Sequence, residues 1–294
     1  MCTTCGCGSD LATIDGADMH GEPGHAHQHD HEHHQGHEHH QGHSHDHGPH
    51  HDHQHNPEHQ HHHGQDHVAS PAHGRTVSLE QNILARNQLL AERNRGWFAG
   101  REVFAVNLMS SPGAGKTSIL ERTIRDLRVK IPISVLEGDQ ATSADADRIR
   151  ATGAAVVQIN TGTGCHLDAH MVAHGIERLG VPRSSLLLIE NVGNLVCPAL
   201  FDLGEQARVV VVSVTEGDDK PLKYPHMFRT GHLLLINKLD LLPHVRFDVQ
   251  RCIDHAQQVN PTLQVLLLSA ETGEGMPAWY DWLLAQHART DLLA

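Results

Sequence analysis

Apolar residues in this chain gather in short runs after residue 100: "VFAVNLM", "ISVLEGD", "AAVVQIN", "SLLLIEN", "ARVVVVSV", "HLLLINK" and "LQVLLLSA". Each run is close to continuous rather than alternating, so each predicts a strand buried on both faces. The stretches between them are amphipathic and long enough for helices. Strands and helices in such alternation predict an α/β fold, with a mostly parallel sheet covered by helices on both faces. Ahead of the first strand, "SLEQNILARNQLL" predicts a further helix, with Ser78 and Gln81 spaced as a capping box and Leu79, Ile83 and Leu90 on one face.

Upstream the pattern stops. "HDHEHHQGHEHHQGHSHDHGPHHDHQH", from His29 to His55, holds no apolar residue except Pro49. Of the 31 histidines, 23 lie between His20 and His73, and the first 74 residues contain eleven acids and no Lys or Arg. Chain this poor in apolar side chains cannot offset its conformational entropy by burial, which predicts disorder. Three parts follow: residues 1–19 with clustered cysteines, a disordered His-rich tract over 20–74, and one domain over 75–294 with a substantial core. The polar linker is expected to end near Arg75. No apolar run approaches the ~18 residues of a membrane span, and Met1-Cys2 opens no signal peptide, so a cytoplasmic protein without a membrane partner is expected. Residues 75–294 balance 22 basic groups against 24 acids. With an acidic tail ahead of them, that balance argues against nucleic acid as a partner.

Cysteine changes the picture at the terminus. Cys2, Cys5 and Cys7 form C-x-x-C-x-C within "MCTTCGCG". Three thiols so close together, with no secretion signal, favour a metal over a disulfide. With the α-amine of Cys2 exposed by loss of Met1, they could form a square-planar set, suited to Ni(II) or Cu(II) before Zn. Cys165, Cys197 and Cys252 are dispersed, and Cys252 is expected in the core.

The strand ends carry the nucleotide chemistry. "SSPGAGKTS" follows the first strand, with Gly113 and Gly115 letting backbone N–H groups turn toward a phosphate. Lys116 can reach the terminal phosphates, and the Thr117 hydroxyl suits Mg²⁺. The general pattern has Gly where this chain has Ser110. Asp139 in "EGDQAT" is a candidate metal or water partner, and Glu190 in "LLLIENVG" stands where such enzymes carry a metal-site acid, with Gly193 three residues on. "INKLD" supplies Asn237, Lys238 and Asp240. Asp240 can accept from N1–H and the 2-amino group of guanine, which adenine does not offer. Ser269 and Ala270 in "LSAETG" fit a backbone contact to the guanine edge. The ordered series predicts a GTP site.

A second metal site is suggested by "TGTGCHLDAHMVAH" together with "ENVGNLVCPA". Cys165 and His166 lie at a loop entering a helix, while Cys197 follows Glu190 on the segment that should sense the γ-phosphate. The three could form a thiolate–imidazole site for Zn or Ni, completed by a symmetric partner in a two-fold dimer. The plainer reading makes both cysteines small buried hydrophobes and His170 and His174 a helix face.

Together, "MCTTCGCG", the histidine tract, "SSPGAGKT", "NTGTGCHLDAHM", "IENVGNLVCPA", "TEGDDKPLKYP" and "INKLD" resemble the HypB family, the GTPases that insert nickel into [NiFe]-hydrogenase. The likeness covers the whole chain, and the family also has Ser at the place of Ser110. The resemblance implies a P-loop NTPase fold and a terminal nickel site at Cys2, Cys5 and Cys7. It implies a second Ni or Zn site at Cys165, His166 and Cys197. GTP and Mg²⁺ chemistry would fall to Lys116, Thr117, Asp139 and Glu190, with guanine read by Asn237, Lys238 and Asp240. It further implies a homodimer promoted by GTP, and as partners the hydrogenase large-subunit precursor and accessory nickel-maturation proteins. The histidine tract would be a low-affinity, high-capacity nickel buffer. Two other readings share part of the pattern. A GTPase serving another nickel or zinc enzyme, as the urease accessory proteins do, should lack the terminal C-x-x-C-x-C. A storage protein would tolerate loss of Lys116.

Overall fold

The computed structural model describes residues 13–15, 17–18, 71–140 and 143–291. Cys2, Cys5, Cys7 and nearly all of the histidine tract therefore lie outside the described residues. In chain order the elements are β1 (Thr13–Ile14), β2 (Ala17–Asp18), α1 (Pro71–Ala99), β3 (Val103–Ser110), α2 (Lys116–Leu127) and β4 (Ile133–Asp139). There follow α3 (Ala144–Arg150), β5 (Ala155–Asn160), α4 (Ala169–Leu179), β6 (Ser185–Glu190) and β7 (Ala207–Ser213). The chain continues through α5 (Lys220–Lys223), α6 (Pro225–Arg229), β8 (Leu233–Asn237), α7 (Val249–Val259), β9 (Gln264–Leu267) and α8 (Met276–Asp291).

All seven expected strands form. Among the described residues they join β1 and β2 in one nine-stranded sheet in the order β2-β1-β5-β4-β6-β3-β7-β8-β9, with β3 through β9 parallel. Alternation along β3 divides the core between the two faces. Phe104, Val106 and Leu108 pack with Ile119 and Leu120 of α2 and Trp279 of α8. Val103 and Ala105 pack on the other face with Phe98 of α1 and Val172 of α4. The chain leaves β3 toward β4 on one side, and returns through β6 to reach β7 on the other. A crevice opens at such a reversal, outside the carboxyl ends of the strands.

Two features depart from the sequence reading. Helix α1 begins at Pro71, so Ser78 and Gln81 lie inside it and the boundary expected near Arg75 falls within its first turns. Proline suits a helix start, because its missing N–H is one that would find no partner in the first turn. The buried row of α1 is Asn87, Ala91, Asn94 and Phe98, while Leu84 and Leu89 are exposed and Ile83 and Leu90 are half-buried. The asparagines face inward because they serve backbone groups. Asn87 Oδ1 accepts from Ala169 N at 2.9 Å, and Asn94 Nδ2 donates to Ala169 O at 2.8 Å and Leu203 O at 3.0 Å.

The second departure is β1, which pairs antiparallel with the edge of β5, Ile14 opposite Ile159 and Thr13 opposite Asn160. Ile14 is buried in the α4 face of the core, and Arg178 of α4 donates to its carbonyl at 2.5 Å. The terminal part of the chain thus contributes to the domain.

Candidate functional site

The phosphate loop joins β3 to α2. Gly115 stands at φ +97°, a left-handed conformation, and a Cβ there would lie 2.5 Å from Asn237 Nδ2. Glycine is needed on both counts. Lys116 begins α2 and donates from Nζ to Ser110 Oγ at 2.9 Å. Ser110, the departure from the general pattern, is therefore the lysine's acceptor. Gly113, Gly115, Lys116, Thr117, Asp139, Glu190 and Lys238 all line one cleft of about 520 Å³.

Asn237 ties the end of β8 to that loop. Its Nδ2 donates to Ala114 O at 2.9 Å, and its Oδ1 accepts from Ala270 N at 3.1 Å. Lys238, at φ +66°, donates from Nζ to Gly113 O at 2.7 Å. Asp240 lies in a 3-10 turn, Leu239–His244, where its Oδ1 accepts from the Ser269 hydroxyl. Asn237, Lys238, Asp240, Ser269 and Ala270 are thus brought together beside the loop, with Lys238 lining the cleft and Ser269 orienting the Asp240 carboxylate.

At the phosphate end, the Thr117 hydroxyl donates to Glu190 Oε1 at 2.8 Å. Burial pushes the Glu190 carboxyl up to about 7, against the pull of Lys116 and Thr117. Glu137, on β4 and 2 % exposed, is pushed up to about 9, first by burial and then by Glu190 and Asp139. Oε2 of each glutamate is buried without a hydrogen-bond partner. Two orphaned carboxylate oxygens beside a threonine hydroxyl form a hard oxygen donor set, which fits Mg²⁺. Asp139 ends β4 at the same cleft, with Oδ1 accepting from Gln140 N at 2.7 Å.

A cluster of candidate metal ligands lies on the neighbouring loops. Ligand atoms of Cys165, His166 and Cys197 all fall within 4.8 Å of one another, and Cys165 Sγ is 3.7 Å from His166 Nδ1. Sheet order explains the meeting. Cys165 follows β5 and Cys197 follows β6, and these strands flank β4 on either side. The His166 ring stacks on Phe201 at 3.8 Å, and burial lowers its pKa, which favours the neutral imidazole that binds metals. Two thiols and an imidazole suit Zn or Ni and leave a four-coordinate ion one ligand short. His170 Nε2 and His174 Nε2 face each other at 3.1 Å on α4. Cys252 is core, its thiol pushed up to about 12 by burial.

Comparison with known proteins supplies the family and the fold. Residues 104–267 match the family model described as "CobW/HypB/UreG, nucleotide-binding domain". Over 290 residues the chain is 47 % identical to hydrogenase maturation factor HypB of Escherichia coli (strain K12), covering 97 % of this chain and 99 % of the relative. The chain belongs to the HypB family. HypB of Archaeoglobus fulgidus superposes with a TM-score of 0.65 at 43 % identity, over 69 % of this chain and 99 % of that one. HypB of Helicobacter pylori, solved in complex with nickel, gives 0.67 at 36 % identity over 69 % of this chain and 96 % of that one. This is a family of P-loop GTPases, and the mostly parallel sheet with helices on both faces is its fold.

Three residues of the site escaped the sequence reading. Glu137 carried a signal, since it is an acid inside the otherwise apolar run "ISVLEGD". Arg148 of α3 lines the cleft and donates to Glu121 Oε2 at 2.6 Å and Ser118 Oγ at 3.1 Å, a placement that no periodicity announces. Asn191 is buried, lines the cleft and bonds the backbone next to His166, a placement that local spacing does not announce.

Proposed function

We propose that this chain is a GTP-hydrolysing nickel metallochaperone that serves a [NiFe]-hydrogenase large-subunit precursor in the cytoplasm, together with accessory nickel-maturation proteins. The observation that carries the reading is the shared segment from Glu190 to Cys197, which begins in the nucleotide cleft and ends in the thiolate–imidazole cluster. Lys116 and the loop amides would bind the β- and γ-phosphates, and Asp240 would select guanine. Mg²⁺, held by Thr117 and Glu190 with Asp139 and Glu137 near them, would supply neutralising charge to the phosphates. Nickel is the cargo at Cys165, His166 and Cys197, and Zn²⁺ is the competing ion that the same donors suit. A second copy would complete its coordination, so GTP would favour a homodimer and hydrolysis would loosen the set. Cys2, Cys5 and Cys7 would form a separate tight nickel site and the His-rich tract a reservoir.

The test uses the full-length chain with Cys2, Cys5 and Cys7 replaced by Ser. Thiolate-to-nickel charge-transfer absorption then reports on the domain's own cysteines, whatever the histidines bind. Competition with a chelator, in GDP and in a non-hydrolysable GTP analogue, should give affinities differing roughly 5–150-fold, the usual range of allosteric linkage. Equal affinities, with Cys197→Ala changing neither, would mean two independent sites.

A further inference from the structure

The loop that carries Cys165 and His166 touches the cleft through Asn191, which lines the cleft and is not one of the three clustered ligands. Asn191 follows Glu190 directly and is 1 % exposed. Its Oδ1 accepts from Val192 N at 3.0 Å and from Leu167 N at 3.1 Å. Leu167 directly follows His166. On the other side Asn191 Nδ2 donates to Asn107 Oδ1 at 3.2 Å, inside the fully buried strand β3. The carboxamide therefore bridges the end of β6, the central strand and the peptide next to His166 by direct hydrogen bonds.

Leu167 also meets the second acid-bearing segment. Its side chain is fully buried over Gly138, which stands between Glu137 and Asp139, and a Cβ on Gly138 would lie 2.7 Å from Leu167 Cγ. Any side chain at 138 would push Leu167 away. The residue after His166 is thus held from two directions, by β6 through Asn191 and by β4 through Gly138. Both strands end in carboxylates at the phosphate end of the cleft. A buried amide bonded through both its oxygen and its nitrogen is directional, and leaving the Leu167 N–H unpaired in this interior is costly, so a displacement of β6 carries Leu167 with it.

We propose that Asn191 is the positioning residue that couples nucleotide state to metal affinity, acting through the Leu167 N–H on the loop that carries Cys165 and His166. This rests on the nucleotide-gated nickel reading above and names its internal linkage. Covalent continuity from Glu190 to Cys197 moves one ligand, and the Asn191–Leu167 hydrogen bond moves the other two in register with it.

The experiment measures the ratio of nickel affinities in the GTP-analogue and GDP states by thiolate charge transfer, in the full-length chain with Cys2, Cys5 and Cys7 replaced by Ser. Asn191→Ala removes all three side-chain bonds and should bring the ratio of the two nucleotide states close to 1, each measured at saturating nucleotide, with the charge-transfer spectrum retained. Asn191→Asp keeps an acceptor for Leu167 N and loses the donation to Asn107, so the ratio should survive. Should Asn191→Ala fail to fold, Asn191→Ser is read in its place, since its hydroxyl is too short to reach Leu167 N. A wild-type ratio of 1 would sink the gated-release reading itself. A wild-type ratio that Asn191→Ala or Asn191→Ser leaves intact would overturn the role of Asn191 alone. The coupling would then run through the other tie to the metal loop, from Gln140 Nε2 to Gly164 O at 3.0 Å.

Discussion

The Thr117 hydroxyl donates to Glu190 Oε1 at 2.8 Å, joining the first turn of α2 to the end of β6. A neutral amide at 190 could still accept that bond but would bring no charge to a Mg²⁺ ion. Glu190→Gln should therefore lower kcat for GTP by roughly 10²-fold or more, the scale of losing one charge-stabilising group, with GDP affinity changed only a few-fold. Phosphate release at saturating Mg²⁺ measures it, and wild-type turnover would remove Glu190 from the metal site.

Glu137 gives a pH dependence whose sign follows from its burial. Its carboxyl moves from an ordinary 4.5 to about 9 in the folded chain. A raised folded pKa means the native state binds the proton more tightly, so this contribution is fully present below pH 4.5 and is lost as pH rises toward 9. Without Mg²⁺ or nucleotide, the urea midpoint should fall between pH 6 and pH 8.5, and Glu137→Gln should flatten that decline. An equal slope in the variant would place the titration elsewhere.

In the proposed function base selection would rest on Asp240, which the Ser269 hydroxyl orients. Asp240→Asn should lose GTP and gain xanthosine triphosphate, because an amide can donate to the extra carbonyl of xanthine. Competition between the two nucleotides reads the exchange. Comparable turnover of ATP and GTP by the wild type would defeat the guanine assignment.

Storage can be separated from delivery by deletion. Because α1 begins at Pro71 and β1 and β2 reach Asp18, the cut should span residues 20–70 and no further. Nickel bound at high metal should drop while GTP hydrolysis and the tightest site persist. Loss of the tightest binding with the tract would show that Cys2, Cys5 and Cys7 do not form it.

Much of this protein was legible in the sequence because it depends on neighbours along the chain. A strand buried on both faces needs a continuous apolar run, and every such run became a strand. A phosphate loop needs glycines at fixed offsets before a lysine, and Gly113, Gly115, Lys116 and Thr117 took that form. The inward asparagines of α1 were not legible, since a polar residue faces a core only when backbone groups elsewhere await it. Nor was the burial of Glu137, because the acid at its side comes from another strand.

Sequence alone determined which candidate groups the chain carries: the "INKLD" motif, the glycines and lysine of the phosphate loop, and the cysteines and histidines with their spacing. Tertiary structure decided which of these residues act together. Neighbouring strands stand roughly 4.8 Å apart, so loops leaving β5 and β6 on either side of β4 come within ligand reach. That order brings Cys165 and His166 to Cys197 and sets Asn191 against Leu167. It follows from the packing of whole strands and helices, a long-range property that local spacing does not encode.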